Sequence, residues 1–332
     1  MISMTWSVVQ GDCIEYMDSL PADSVDLIFT SPPYEMARLY LENGQDMGIA
    51  RKTEDWVAWL VKCFTAGQRV CKGLQAYVVA GQTRKFRWSA GPALLLADLH
   101  RAGFNLRNPP IYHRVGIPGS GGPDWLRADY EFIVCTSRPG KLLWSDNTAA
   151  GHTPKWAPGG EMSNRGVDGK RANSHRNQWG GTQQSNGHKK QDGTAENFQR
   201  PSHKYRRVTR GKKAETGDTQ NTDSYTPPSL ANPGNIIRCK VGGGLLGNEL
   251  AHQNEAPFPE ALADVFVRSF CPPGGVVLDP FCGSGTTGAV AVRHGRNFLG
   301  CDLRQSQVDL ARKRISQETP LGLFSDTQGE DT

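Results

Sequence analysis

Two stretches of this 332-residue chain carry residue types whose order could do chemistry. The first ends in Thr30, Ser31, Pro32, Pro33 and Tyr34. Neither proline can donate a backbone hydrogen bond, and each fixes its own φ. Pro33 also pushes Pro32 towards an extended conformation. The result is a stiff elbow that presents a hydroxyl, carbonyls with no competing N–H at the prolines, and an aromatic ring. That set could hold a flat heterocycle with an exocyclic amine. From these residues alone, a plain proline turn after a strand reads equally well. The second stretch runs Asp279, Pro280, Phe281, Cys282, Gly283, Ser284, Gly285, Thr286, Thr287, Gly288. Its Gly283-x-Gly285-x-x-Gly288 spacing matches the dinucleotide fingerprint. Asp302 follows 19 residues after Gly283, where a carboxylate can accept both hydroxyls of a ribose.

A nucleoside-containing cofactor is therefore expected. A triphosphate loop is not, because no lysine precedes Thr286 or Thr287. Asp279 would repel a pyrophosphate but suits a cation such as the α-ammonium of S-adenosylmethionine. A nicotinamide oxidoreductase is the rival reading. It predicts NAD(H) binding and has no use for the Ser31 elbow.

The elements that must position these residues read as an α/β chain. Val25 to Thr30 is a short β-branched and aromatic run suited to a buried strand. Before it, Trp6 to Gln10 reads as a strand and Ile14 to Leu20 as a helix, which makes a βαβ opening. Asp12 falls at the end of the first strand, where it serves either as a ligand or as a helix cap. Met36 to Thr53 reads as an irregular loop and Asp55 to Leu74 as an amphipathic helix. Ala76 to Ala80 reads as a strand and Gly91 to Ala102 as a helix. Leu106 to Val115 is a strand broken by Asn108, Pro109 and Pro110, and Tyr130 to Thr136 is another, with Glu131 near its start. Downstream come a strand at Asn235 to Val241 and a helix at Ala261 to Phe270. The strand Gly275 to Asp279, the glycine loop, a helix at Ala289 to His294, the strand Asn297 to Cys301 and a helix at Gln307 to Ile315 follow. The tail from Gln317 to Thr332 reads as frayed.

The chain carries a formal charge of +5, and its distribution is uneven. Between Gly151 and Asn235 lie 14 Lys/Arg and 7 Asp/Glu, which leaves the rest slightly acidic. This segment is rich in Gly, Asn, Gln, Ser and Thr and lacks aliphatic periodicity. It is either a polar linker or an insertion whose basic groups meet phosphates and base edges. Its densest positive run holds Lys204, Arg206, Arg207, Arg210, Lys212 and Lys213. The eight cysteines show no C-x-x-C pair and no zinc-like Cys/His spacing, so no metal is expected. They read as the reduced thiols of a cytoplasmic protein. No secretory signal and no run of about 20 apolar residues is evident, so no membrane association is expected.

The Thr30–Tyr34 elbow, followed far downstream by Asp279–Thr287, resembles the amino-methyltransferases of bacterial and phage DNA. The order of motifs is that of their β group, and the likeness covers roughly residues 5–136 and 236–316. The resemblance implies a Rossmann-like S-adenosylmethionine-dependent methyltransferase sheet, circularly permuted between the helix after its second strand and its third strand. Residues 1–147 would form the catalytic half, 148–235 a DNA-binding target-recognition insertion, 236–316 the cofactor half and 317–332 a flexible tail. Ser31, Pro32, Pro33 and Tyr34 would act on the base. Asp12, Cys13, Phe258, Asp279, Pro280, Phe281, Gly283, Gly285, Thr286 and Asp302 would surround the cofactor. Asp12 would meet the adenine amine, Cys13 the ring edge and Phe258 the methionine part. Cys271 before Pro272 reads as structural. Serine at the elbow points to cytosine N4 in double-stranded DNA. Adenine N6 and an idle DNA-binding protein are the alternatives, and a homodimer and a paired restriction enzyme stay open.

Overall fold

A computed structural model describes residues 5–35, 41–42, 45–46, 51–116, 124–152, 230–241, 250 and 257–318. The chain divides into two compact units, one made of residues 1–151 and 232–332, the other of 152–231. In the second unit His152 and Ala231 form an antiparallel bridge. The six basic residues from Lys204 to Lys213 lie outside the described residues.

The first unit opens with β1 (Trp6–Gln10), α1 (Cys13–Ser19) and β2 (Val25–Thr30), then α2 (Thr53–Val70), β3 (Cys71–Val79) and α3 (Gly91–Arg101). The strands β4 (Asn105–Leu106), β5 (Ile111–Val115), β6 (Tyr130–Ser137) and β7 (Ile236–Lys240) follow. The chain closes with α4 (Glu260–Phe270), β8 (Val276–Asp279), α5 (Thr286–Arg293), β9 (Asn297–Asp302) and α6 (Gln305–Ile315). Nine strands form one sheet in the order β1-β9-β8-β2-β3-β6-β5-β7, with β4 also pairing β6. The run from β1 to β3 is parallel. β6 is antiparallel to both β3 and β5.

Both faces of the sheet are covered, so its strands alternate between two cores. Leu27 and Phe29 of β2 join Leu262, Phe266, Ala291 and Ile315 under α4, α5 and α6. Val25 and Ile28 join Met17, Trp56, Leu60 and Leu99 under α1, α2 and α3. This is a Rossmann-like α/β sandwich. From β8 the chain steps to β9 on one side; from β2 it steps to β3 on the other. The strand order therefore reverses between β8 and β2, where open α/β sheets form their ligand crevice. The permuted order places the last strands of the chain between its first two.

Some boundaries differ from the sequence reading. α2 ends at Val70, not Leu74, and Cys71 already pairs with Val25 in the sheet. Sheet pairing overrides the helical periodicity there. α5 begins at Thr286, not Ala289, so Gly288 lies inside the helix. A side chain at Gly288 would meet Ile315 Cδ1 at 2.5 Å and Phe298 Cε1 at 2.6 Å. That glycine is there for helix–sheet packing. The expected irregular loop contains a small hairpin, Leu41–Glu42 with Gln45–Asp46. A second hairpin, Thr83–Arg84 with Arg87–Trp88, has no counterpart in the sequence reading.

Candidate active site

The two motifs leave adjacent parallel strands at the same edge of the sheet. Leu278 of β8 is in register with Ile28 of β2. Asp279 therefore sits beside Thr30, and the Thr30 hydroxyl donates to Asp279 Oδ1 at 2.5 Å across 249 positions of sequence. Ser31 is the next residue.

Asp279 is 1 % exposed. Its Oδ1 also accepts from the Phe281 N–H at 3.1 Å, and its Oδ2 from the Thr287 hydroxyl at 2.7 Å. Burial pushes its carboxyl up to about 6; these hydrogen bonds oppose the shift and the nearby Asp302 charge adds to it. Because the folded value lies above the unfolded one, the stabilising protonated form is lost as pH rises through 6. Relative to Asp279→Asn, the wild-type chain should lose about 2 kcal/mol of stability between pH 4 and 7. Urea midpoints across that range test this; a pH-independent difference between the two proteins would refute it.

The glycine loop turns its backbone inward. The N–H groups of Cys282, Gly283 and Gly285 donate to Cys301 O, Asp302 Oδ2 and Cys282 O at 2.9, 3.0 and 2.8 Å. Gly285 has φ 79°, and a side chain there would press on Ala311 Cα at 3.0 Å. These N–H groups are spent inside the protein, so they do not form an anion cradle. Instead three carboxylates line the edge on neighbouring strands. Asp302 ends β9, and its Oδ1 accepts from the Arg304 N–H at 3.0 Å. Asp12 follows β1, whose Gln10 is in register with Asp302. That edge suits a cationic nucleoside better than a pyrophosphate. Asp12 also caps α1, accepting from the N–H groups of Ile14 and Glu15. The cap and ligand roles are thus compatible.

The other expected cofactor residues are placed as follows. Cys13 is buried with its sulfur 3.9 Å from that of Cys63. Phe258 packs edge-on against Phe29 at 5.5 Å, just before α4. Phe281 packs edge-on against Trp59 at 5.4 Å, and Pro280 is buried. Thr286 is buried, and its hydroxyl accepts from Arg314 at 2.9 Å, so it serves the interior of the loop. Cys271 is buried and its thiol is pushed by burial to about 12, in keeping with a packing role. Among the described residues no group of three or more His, Cys, Asp or Glu is set to hold a metal. Among them, too, no helix is long and apolar enough to cross a membrane.

Around the elbow, the structure adds residues that the sequence reading missed. Trp56 lies on the helix that reads as amphipathic and packs in its core. It is buried, yet its indole N–H donates to the Pro33 carbonyl at 2.8 Å and fixes the elbow. Ser31 Oγ lies 3.3 Å from Tyr34 Oη and 3.4 Å from the Val78 carbonyl. The Tyr34 phenol donates to Glu131 Oε2 at 2.5 Å. Arg114 Nη1 lies 3.3 Å from Glu131 Oε1. Burial and then the Glu131 charge hold the Tyr34 phenol well above its ordinary value, so it stays a proton donor. The sequence signal was weak: an acid at the start of a buried strand, Glu131 of β6.

The family model described as DNA methylase matches residues 25–313. The chain is 25% identical over 330 residues to the type II methyltransferase M.HinfI of Haemophilus influenzae, covering 95% of this chain and 69% of that protein. It is 24% identical over 312 residues to the orphan methyltransferase M.BamHII of Bacillus amyloliquefaciens, covering 92% and 90%. Among solved structures, the PvuII DNA methyltransferase, titled cytosine-N4-specific, matches with a TM-score of 0.58 at 18% identity, covering 94% of this chain and 87% of that one. A putative DNA modification methylase of Thermus thermophilus, solved with S-adenosyl-L-methionine, matches with a TM-score of 0.52 at 22% identity, covering 95% of each. These structural likenesses are likenesses of fold.

Proposed function

Since this chain belongs to the DNA methylase family and that family is S-adenosylmethionine-dependent, we propose that it methylates the exocyclic N4 of a cytosine flipped out of duplex DNA. One observation carries the reading: the Ser31–Tyr34 elbow and the Asp279–Gly288 loop end neighbouring strands at the point where the strand order reverses. Asp12, Asp279 and Asp302, with Phe258, Phe281 and the glycine loop, would hold the cofactor. When bound, S-adenosylmethionine supplies a methyl group activated by a sulfonium.

The rest is the work of the chain's own side chains. The amine of a paired base is buried in the stack, so extrusion costs about a few kcal/mol. Tyr34 would stack on the extruded ring, its phenol tied to Glu131 so that the ring plane is fixed. An exocyclic amine is a poor nucleophile because its lone pair is shared with the ring. Hydrogen bonds from it to Ser31 Oγ and the Pro32 carbonyl favour a more tetrahedral nitrogen. Positioning and electrostatics supply the catalysis. No covalent intermediate with a cysteine fits: all eight thiols are buried. Residues 148–235 we read as the target-recognition segment, with Lys204, Arg206, Arg207, Arg210, Lys212 and Lys213 on phosphates. Their excess of positive charge supports this.

The choice of cytosine rests on serine as the first elbow residue; the cytosine-N4-specific title of the PvuII enzyme is in line with it. The test is nucleoside mass analysis of DNA methylated in vitro by the purified chain. N4-methylcytosine is the expected product. N6-methyladenine in its place would move the same mechanism to adenine, and no transferred label would leave an idle DNA-binding protein.

A further inference from the structure

Glu35 follows Tyr34 directly and is 3 % exposed. Its Oε1 accepts from the Ser89 hydroxyl and, at 3.3 Å, from the Gln82 N–H. Gln82 and Ser89 form the neck of the Thr83–Trp88 hairpin and are joined by Ser89 N–H to Gln82 O at 2.8 Å. Trp88 closes the neck from the other side; a side chain at Gly81 would collide with its indole nitrogen at 2.3 Å. A buried carboxylate thus ties the base of this hairpin to the elbow.

The tip is built for contact with something outside the chain. Lys85 and Phe86 have φ 49° and 64°. A two-residue turn with positive φ at both positions usually takes asparagine or glycine. Here it holds a lysine and a phenylalanine, and Phe86 is 78 % exposed. Arg84 and Arg87 flank them, and all four side chains are exposed. Among the described residues Lys85 and Arg87 have no carboxylate within salt-bridge distance. Arg84 and Arg87, with Arg51, Gln82, Glu35 and Glu54, line a cleft of about 290 Å³ at the foot of the hairpin. An exposed ring surrounded by cations fits a partner that offers an aromatic stack edged with regular negative charge. Duplex DNA, the substrate proposed above, offers both.

We propose that the Thr83–Trp88 hairpin enters the duplex beside the target nucleotide, with Phe86 wedged into the base stack and Lys85 and Arg87 on the flanking phosphates. The proposal rests on the methyltransferase reading. Extrusion leaves a gap one base thick, which a phenyl ring can fill. Glu35 then couples the wedge to the elbow that receives the extruded base.

The modified sites are first mapped by modified-base sequencing of DNA from expressing cells. Phe86→Gly suits the turn and is expected to fold normally. It should lower kcat/KM on a fully paired duplex about tenfold or more, yet less than about threefold on a duplex in which the target base is mispaired, because extrusion is then already cheap. Phe86→Leu, which keeps a wedge, should retain most of the wild-type rate. Lys85→Ala with Arg87→Ala should make the slope of log binding constant against log salt shallower by about 1.8. Equal losses on both duplexes, no loss on either, or an unchanged salt slope would overturn the proposal. So would a Phe86→Gly chain that merely dissociates a homodimer. If the wild-type chain modifies no DNA at all, the methyltransferase reading falls first and the wedge with it. Wild-type activity with an unaffected Phe86→Gly variant refutes the wedge alone.

Discussion

Ser31→Ala is expected to lower methyl transfer by about 10²- to 10³-fold while leaving S-adenosylmethionine affinity nearly unchanged. The hydroxyl lies one residue past Thr30, which is bonded to Asp279, but among the described residues Ser31 Oγ itself bonds to Tyr34 of the elbow and to the Val78 carbonyl of β3, not to the glycine loop. Its loss therefore removes a contact to the reacting amine and leaves the glycine loop in place. Single-turnover transfer of labelled methyl, alongside cofactor binding by calorimetry, separates the two quantities. Tyr34→Phe is the informative partner. It keeps the ring but severs the bond to Glu131, so it should raise KM for DNA more than it lowers kcat. If Ser31→Ala transferred methyl at the wild-type rate, the amine would not be held at the elbow.

Glu260→Ala is expected to cost about 3–5 kcal/mol of folding stability, because it strands a buried charge. Arg314 is fully buried, and its Nη2 donates to Glu260 Oε1 at 2.5 Å. Its Nη1 donates to the Thr286 hydroxyl at 2.9 Å, which places the pair directly behind the glycine loop. Arg293 holds the other Glu260 oxygen at 2.7 Å. Arg314→Met should cost less, since Glu260 keeps Arg293. Arg314→Met should also recover much of the loss when combined with Glu260→Ala, because no unpaired charge then remains. Burial raises the Glu260 carboxyl, but the bonds and charges of Arg293 and Arg314 outweigh it and hold it below the ordinary carboxylate value. Its contribution is thus present at neutral pH and is lost as pH falls through that lowered value. Urea titrations of the two single variants and the double variant complete the cycle. A fully additive double variant would show that the two residues do not act as a pair.

The sequence by itself determined the fold class, the permuted order of the two motifs and the acidic residues that end or follow β1, β8 and β9. These are local signals: a buried strand ending in a rigid or glycine-rich turn is legible because the backbone demands it in place. Asp302 was legible for the same reason, as the acid at the tip of the next strand. Only the tertiary structure decided which groups hold those motifs. Trp56, Glu131 and Arg114 come from other elements, and their own neighbourhoods give at most the weak mark of an acid at the start of a buried strand, Glu131. Trp56 sits in a helical periodicity that reads as core and is satisfied by core packing, while its one polar atom is used at the elbow. Thr30 meets Asp279 only because β8 inserts beside β2, a pairing set by burial on both sheet faces and not by any local propensity. Hairpin pairing across a turn of lysine and phenylalanine likewise runs against the residue preferences that sequence reasoning relies on.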